Sequence, residues 1–194
     1  FFKDGTTSYV CSAALIKRGL VVTAAHCVSK FGQSRFYTNF QFVPGYRNGA
    51  APYGTWSAAD VRIMTVYYNG TDSCSQSGVV CRNDVAIIRL APQNNAYPGT
   101  NTGYFGFGYN GFGFNTASPN LTHISQLGYP VCLDSGLYMQ RNDSHGFRST
   151  SVDNTVIGSL MCGGSSGGPW VVNLGVRPTL SGTASGTAAP ACRW

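Results

Sequence analysis

The nine residues Cys162–Trp170 read Cys-Gly-Gly-Ser-Ser-Gly-Gly-Pro-Trp. They constrain the fold more tightly than any other stretch. Four glycines and two serines between two apolar runs cannot fill a core. Glycine at this density marks backbone that turns sharply or lies close against another surface. A serine in such a turn holds its hydroxyl beside bare backbone N–H groups. Acyl-transfer chemistry needs that pairing: a nucleophile, and donors aimed at the oxyanion formed when it attacks. A plain glycine-rich surface loop is the alternative.

The stretch also fits Gly-x-Ser-x-Gly through Gly164, Ser166 and Gly168, the nucleophile elbow of α/β-hydrolases. In that architecture the acid and the histidine follow the serine. No Asp, Glu or His follows Ser166 here, so its partners must lie upstream.

At 194 residues the chain suits one large domain or two small ones sharing an interface. Charged residues are only 10%, and all seven acids are Asp. Gly, Ser, Thr, Asn, Tyr and Phe dominate, which favours strands and turns over helices. The net charge of +6 is scattered, with no run of Lys or Arg to form a nucleic-acid patch. The seven cysteines include no Cys-x-x-Cys pair. In such a chain they imply disulfides and an oxidising, extracellular compartment, with one thiol left over. No apolar run reaches the length of a membrane span. The expectation is a secreted monomer with no cofactor, no metal and no nucleic-acid or membrane partner.

Along the chain, Tyr9–Ile16 and Gly19–Cys27 read as a hairpin of two buried strands, with His26 at the end of the second. Phe36–Val43, Val61–Tyr68 and Val80–Leu90 are further strand candidates, the last entered through the polar corner Asn83-Asp84. Ala91–Thr102 is rich in turn residues and reads as the connector between halves 1–98 and 99–194. Gly103–Phe114 alternates glycine with aromatics and reads as a glycine-relieved strand and turn. Leu121–Val131, Leu137–Gln140, Thr155–Met161 and Pro169–Leu174 are the later strand candidates. No stretch sustains a helical period, and many short strands joined by turns suggest a barrel or sandwich.

His26, at the end of an apolar strand, is the candidate base for Ser166. His123, inside a strand, and His145, among Asn, Asp and Ser, read as structural or surface residues. Asp84 abuts a continuous apolar run and is the candidate acid. Asp60, Asp134 and Asp153 stand beside turns.

Thr23-Ala24-Ala25-His26-Cys27, Asn83-Asp84-Val85-Ala86 and Gly164-Ser165-Ser166-Gly167-Gly168-Pro169 resemble, in that order, the three signature blocks of the chymotrypsin-like serine endopeptidases. Val43-Pro44-Gly45-Tyr46, Pro52-Tyr53-Gly54-Thr55-Trp56 and Gly128-Tyr129-Pro130 further resemble the bacterial glutamyl-endopeptidase-like branch. The resemblance implies an all-β protein of two six-stranded antiparallel barrels with the active site in the cleft between them. It implies Ser166 as nucleophile, His26 as general base, Asp84 as its orienting acid, and the N–H groups of Gly164 and Ser166 as the oxyanion hole.

Three departures matter. Ser165 stands where animal enzymes carry the acid that pairs with a new N-terminus. Leu160, six residues before Ser166, is not an acid, so a preference for Lys or Arg has no basis. No histidine follows Ser166 to support glutamyl specificity. The resemblance includes a Cys11–Cys27 bridge. Cys74–Cys81 would close a loop before Asp84, and Cys132–Cys162 would tie the segment after Gly128-Tyr129-Pro130 to the serine loop. Cys162–Cys192 is the rival pairing, similar to a bridge in animal enzymes.

Other readings are a protease fold kept as a catalytically silent binding module, and an adhesive β protein built on the aromatic–glycine tract. A subtilisin-like triad of Asp4, His26 and Ser166 would need the helices of an α/β fold. Gly175–Arg193 has no apolar run for a buried strand. The sequence is therefore expected to be part of a longer mature protein, whose second barrel lacks or borrows its last strand.

Overall fold

The segments Leu20–Thr23 and Ala86–Leu90 are apolar on successive residues, and the fold sets them side by side where both faces of a sheet are covered. The computed structural model describes residues 1–107, 122–149, 154–172 and 174–175. Its strands are β1 (Phe2–Asp4), β2 (Thr7–Tyr9), β3 (Ala14–Lys17), β4 (Leu20–Thr23), β5 (Gln41–Phe42), β6 (Trp56–Ile63) and β7 (Cys74–Gln76). Then come β8 (Val80–Cys81), β9 (Ala86–Leu90), β10 (Thr122–Gly128), β11 (Gln140–Ser149), β12 (Asn154–Val156) and β13 (Trp170–Val171).

The first antiparallel sheet has five strands in the order β3-β4-β9-β6-β5. Val21 pairs with Ile88, and both face the main core with Leu15, Val28, Trp56, Ala86 and Leu90. Val22, paired with Ile87, faces the opposite way and packs with Ala14 and Ile16. Phe105, from the start of the aromatic–glycine tract, covers that second face, and its N–H donates to the Leu15 carbonyl at 2.8 Å. A strand buried on both faces reads as a continuous apolar run, which is the pattern of these segments.

The second sheet has four strands, β12-β11-β10-β13, also antiparallel. Its core joins Ile124, Trp170 and Val172, with Ile157 against them. Two hairpins, β1-β2 and β7-β8, stand apart from the large sheets. Disulfides join Cys11 to Cys27, Cys74 to Cys81 and Cys132 to Cys162. Cys192 lies outside the described residues, as do the rest of the segment from Val176 onward and most of the aromatic–glycine tract.

Several sequence readings change, and Gly19–Cys27 gives up its last residues to the 3-10 turn Ala25–Cys27. The expected strand Tyr9–Ile16 is broken between Tyr9 and Ala14, and Ser12 sits in the break. Within Phe36–Val43 only Gln41–Phe42 is strand. The candidate Val61–Tyr68 leaves its strand at Ile63 and forms a helical turn, Thr65–Tyr68. That turn drives the Tyr67 ring, 0% exposed, into a cluster with Ala25 and Cys81. The candidate Leu137–Gln140 is strand only at Gln140, where β11 begins; β11 pairs with β10 over Gln140–Gly146 and then with β12, although its sequence QRNDSHGFRS has almost no apolar signal. Its outward residues Arg141, Asp143 and His145 are exposed, so nothing apolar is required of them.

Leu90 closes the first core at 1% exposure. Leu90→Ala should cost about 2–5 kcal/mol of stability through lost burial and the cavity left behind. Urea denaturation followed by tryptophan fluorescence measures this, and a loss below about 1 kcal/mol would mean that Leu90 is not packed as described.

Candidate active site

Ala24 and Ala25, both fully buried, let the chain leave β4 in a tight turn over Ala25–Cys27. The turn closes through the N–H groups of Val28 and Ser29 on the Ala25 carbonyl. His26 lies in it, with its side chain 24% exposed. Its ring Nδ1 is 2.7 Å from Asp84 Oδ2, and its main-chain N–H donates to Asp84 Oδ1 at 2.8 Å. The Asp84 side chain has no exposed surface. A carboxylate oxygen accepts the hydrogen bond, so this contact turns a protonated Nδ1 toward Asp84 and Nε2 away from it.

Asp84 is held from behind. Asp72 accepts two hydrogen bonds from Asn83, one from its main-chain N–H and one from its Nδ2, both at 2.8 Å. The Arg82 N–H donates to the Ser73 carbonyl, and the Cys74–Cys81 disulfide closes the loop between. Tyr67 donates its phenol proton to the Gly78 carbonyl at 2.6 Å. Burial, and after it the negative charge of Asp84, pushes that phenol well above the usual tyrosine range. Tyr67 therefore stays neutral beside the carboxylate.

The serine loop belongs to the second sheet but is bonded to the first. The Ser12 N–H donates to the Ser166 carbonyl at 2.7 Å, and Cys27 Sγ lies 3.7 Å from the same oxygen. Gly167, at φ +79°, lies so close that a Cβ there would fall 2.0 Å from Thr23 Oγ1 and 2.8 Å from the Ala24 nitrogen. Thr23 and Ala24 lead directly into His26, so this contact brings Ser166 to the histidine turn. Ser165 points inward, 7% exposed, and donates to the Cys162 carbonyl at 2.7 Å. Ser166 is only half-buried.

Two peptide planes in the loop are fixed through their carbonyls. The Val131 N–H donates to Gly163 O at 2.8 Å, and the Gly168 N–H donates to Ser165 O at 2.9 Å. In a trans peptide the N–H points opposite the C=O of its own plane. These bonds therefore also aim the N–H groups of Gly164 and Ser166. Neither group donates to a protein acceptor among the described residues.

Of the residues singled out from sequence, His26 and Asp84 are in direct contact, and the loop of Gly164 and Ser166 is held beside them through Ser12 and Cys27. His123 and His145 take no part: they pair across β10 and β11, with ring centroids 5.7 Å apart, and are exposed. Asp143 beside them is bound by Arg141 and Ser125, which hold its carboxyl below the usual range. Asp60 pairs with Arg62, and Asp134 accepts from Gln140. Asp153 lies outside the described residues. Sequence reasoning missed Ser12, Asp72 and Tyr67, which act through hydrogen bonds to distant backbone and carry no local motif. Two clusters have metal-ligand spacing, Cys11–His26–Cys27 and Asp72–Cys74–Cys81. In both, the sulfurs are joined as disulfides and are not thiolate ligands.

Residues 1–193 match the family profile described as Trypsin. The chain belongs to the trypsin family. It is similar to the chymotrypsin-like elastase family member 1 of Canis lupus familiaris, 24% identical over 218 residues, covering 99% of this chain and 76% of the relative. Among solved structures, a thermostable serine protease, AL20, from an extremophilic microorganism superposes with a TM-score of 0.75 at 25% identity, over 89% of this chain and 76% of that one. The protease Anisep of Arthrobacter nicotinovorans gives 0.72 at 27% identity, over 98% and 84%. A Glu endopeptidase, 18% identical with a TM-score of 0.68 over 88% and 71%, shares the fold. This trypsin-family chain thus has the chymotrypsin-like two-barrel fold. Its two main sheets have five and four strands among the described residues, against the six per barrel expected from sequence.

Gly167→Ala tests how closely the serine loop seats on β4. The strained backbone and the clash with Thr23 should lower the thermal midpoint by roughly 4–8 °C. Calorimetry that finds an unchanged midpoint would mean that the loop does not nest there.

Proposed function

We propose that this chain is a secreted serine endopeptidase that hydrolyses polypeptides through an acyl-enzyme formed on Ser166. The observation that carries this reading is the Asp84–His26 clamp, a buried carboxylate with both oxygens on one histidine, beside a glycine-framed serine. Three disulfides support an oxidising compartment. Among the described residues, no helix is long and apolar enough to cross a membrane. Residues 1–98 form the barrel that carries His26 and Asp84, and residues 99–194 form the one that carries Ser166.

In this mechanism Ser166 Oγ attacks the peptide carbonyl while His26 Nε2 takes its proton. Asp84 keeps the proton on Nδ1, holds the ring, and stabilises the imidazolium as it forms. The oxyanion meets the N–H groups of Gly164 and Ser166, whose peptide planes are already fixed. Collapse of the intermediate expels the amine, which takes the proton from His26. Water then attacks the ester by the same route and frees Ser166. A silent binding module is disfavoured, since such a protein has no use for an intact set of all three groups. Leu160, 83% exposed and uncharged, offers no acid to a basic substrate side chain.

Ser166→Ala should abolish covalent labelling by a fluorophosphonate and lower casein hydrolysis by on the order of 10⁵-fold or more, with the circular-dichroism spectrum unchanged. Undiminished labelling in that variant would sink the assignment. Asp84→Asn should lower hydrolysis by about 10⁴-fold, because the amide lets His26 take the wrong tautomer. A drop of less than tenfold, measured with the same substrate, would contradict the orienting role.

A further inference from the structure

We propose that Ser12 is a positioning residue for the oxyanion hole, an inference that rests on the acyl-enzyme reading above. Ser12 lies in the break between β2 and β3, 3% exposed, next to the Cys11–Cys27 bridge. It makes four hydrogen bonds, and three of them reach the second half of the chain. Its N–H donates to Ser166 O at 2.7 Å. Its hydroxyl donates to Gly164 O at 2.8 Å and accepts from the Tyr129 N–H at 2.8 Å. Its own carbonyl accepts from Thr23 Oγ1 at 2.8 Å. One side chain therefore grips the carbonyl of Gly164, and the same residue's backbone grips that of Ser166.

Gly164 needs such a grip. It sits at φ +94°, where a Cβ would lie 2.5 Å from the Tyr129 carbonyl, so the position excludes a side chain. Without one, neither adjoining peptide plane is restrained by local sterics. Two outside bonds hold them: Val131 N–H on Gly163 O, and Ser12 Oγ on Gly164 O. The first fixes the plane that carries the Gly164 N–H, and the second fixes the plane on the other side of the Gly164 Cα, against which the first would otherwise swing. Loss of the Ser12 hydroxyl leaves the Gly164–Ser165 plane held only by the Ser165 N–H on the Cys162 carbonyl, a longer bond of 3.1 Å. It also removes the acceptor of the Tyr129 N–H, two residues before Val131, so the second anchor loosens with the first. The bond from Ser12 N–H to Ser166 O survives truncation, as does the Cys11–Cys27 bridge. The nucleophile and the histidine turn remain seated, and the defect falls on the oxyanion donor.

The test is the pre-steady-state burst with p-nitrophenyl acetate, which separates ester binding (Ks) from acylation (k2). Ser12→Ala should lower k2 about 10- to 100-fold, short of the loss of a whole donor or equal to its lower range, with Ks within about twofold. Ser12→Thr, which keeps the hydroxyl, should restore k2 to within about threefold of wild type. Ser12→Gly, which buries no new methyl, should match Ser12→Ala. A wild-type k2 in the truncated variants overturns the proposal, as does a raised Ks with unchanged k2, or a Thr variant as slow as Ala. Failure of both truncations to fold overturns it too, by making the hydroxyl a folding determinant rather than an aligner. A wild-type protein with no burst would instead sink the acyl-enzyme reading itself.

Discussion

Asp84 keeps a carboxylate entirely out of water, and a buried charge is tolerated only when its oxygens are occupied. Both go to His26, one to the ring and one to the main chain. That requirement reaches into the sheet. Thr23 pairs with Ala86 at the end of the β4–β9 ladder. Beyond that pair, the chain leaves β4 and reaches His26 three residues on, and Asp84 lies two residues before β9 begins. The register of two apolar strands therefore sets the spacing of a polar pair. A slip of one residue would turn Val21 and Ile88 out of the core, so hydrophobic burial enforces the alignment.

The serine side of the site depends on backbone rather than on side-chain packing. Ser166 is tied to the first sheet through its carbonyl, and Gly167 lets the loop lie against Thr23 and Ala24. The loop is also bound to its own sheet, through Cys132–Cys162 and the Val131 bond to Gly163. Under the proposed chemistry, a nucleophile and its base on separate sheets need such a joint. Donors and carbonyls at 2.7–2.9 Å give it directional stiffness. The peptide planes that carry the candidate oxyanion donors are fixed before any substrate arrives, which is the condition for electrostatic stabilisation without reorganisation.

The parts legible from sequence were those with strong local signatures. The glycine-framed serine and the Asn83-Asp84 corner each announce backbone geometry with few alternatives, whereas the turn at Ala25–Cys27 was read as the end of the strand that stops at Thr23. The apolar runs of β4 and β9 were plain because both their faces are buried. β11 escaped notice because its outward face is polar and its inward face includes Gly146, which leaves room for Ile124. The helical turn at Thr65–Tyr68 was missed because Tyr67 is pulled from a strand-like run by a hydrogen bond to Gly78, across a loop. Ser12 and Asp72 were invisible for a related reason. Each holds a backbone group far along the chain, and nothing in the neighbouring sequence points there.

The central claim is that the serine beside the Asp84–His26 clamp is the nucleophile. Its most direct test is to locate the adduct formed when the folded protein reacts with diisopropyl fluorophosphate, by fragmentation mass spectrometry of the peptide containing Cys162–Trp170. A single diisopropylphosphoryl group, on Ser166, is expected. An adduct on the neighbouring Ser165, or on any residue away from this loop, would contradict it.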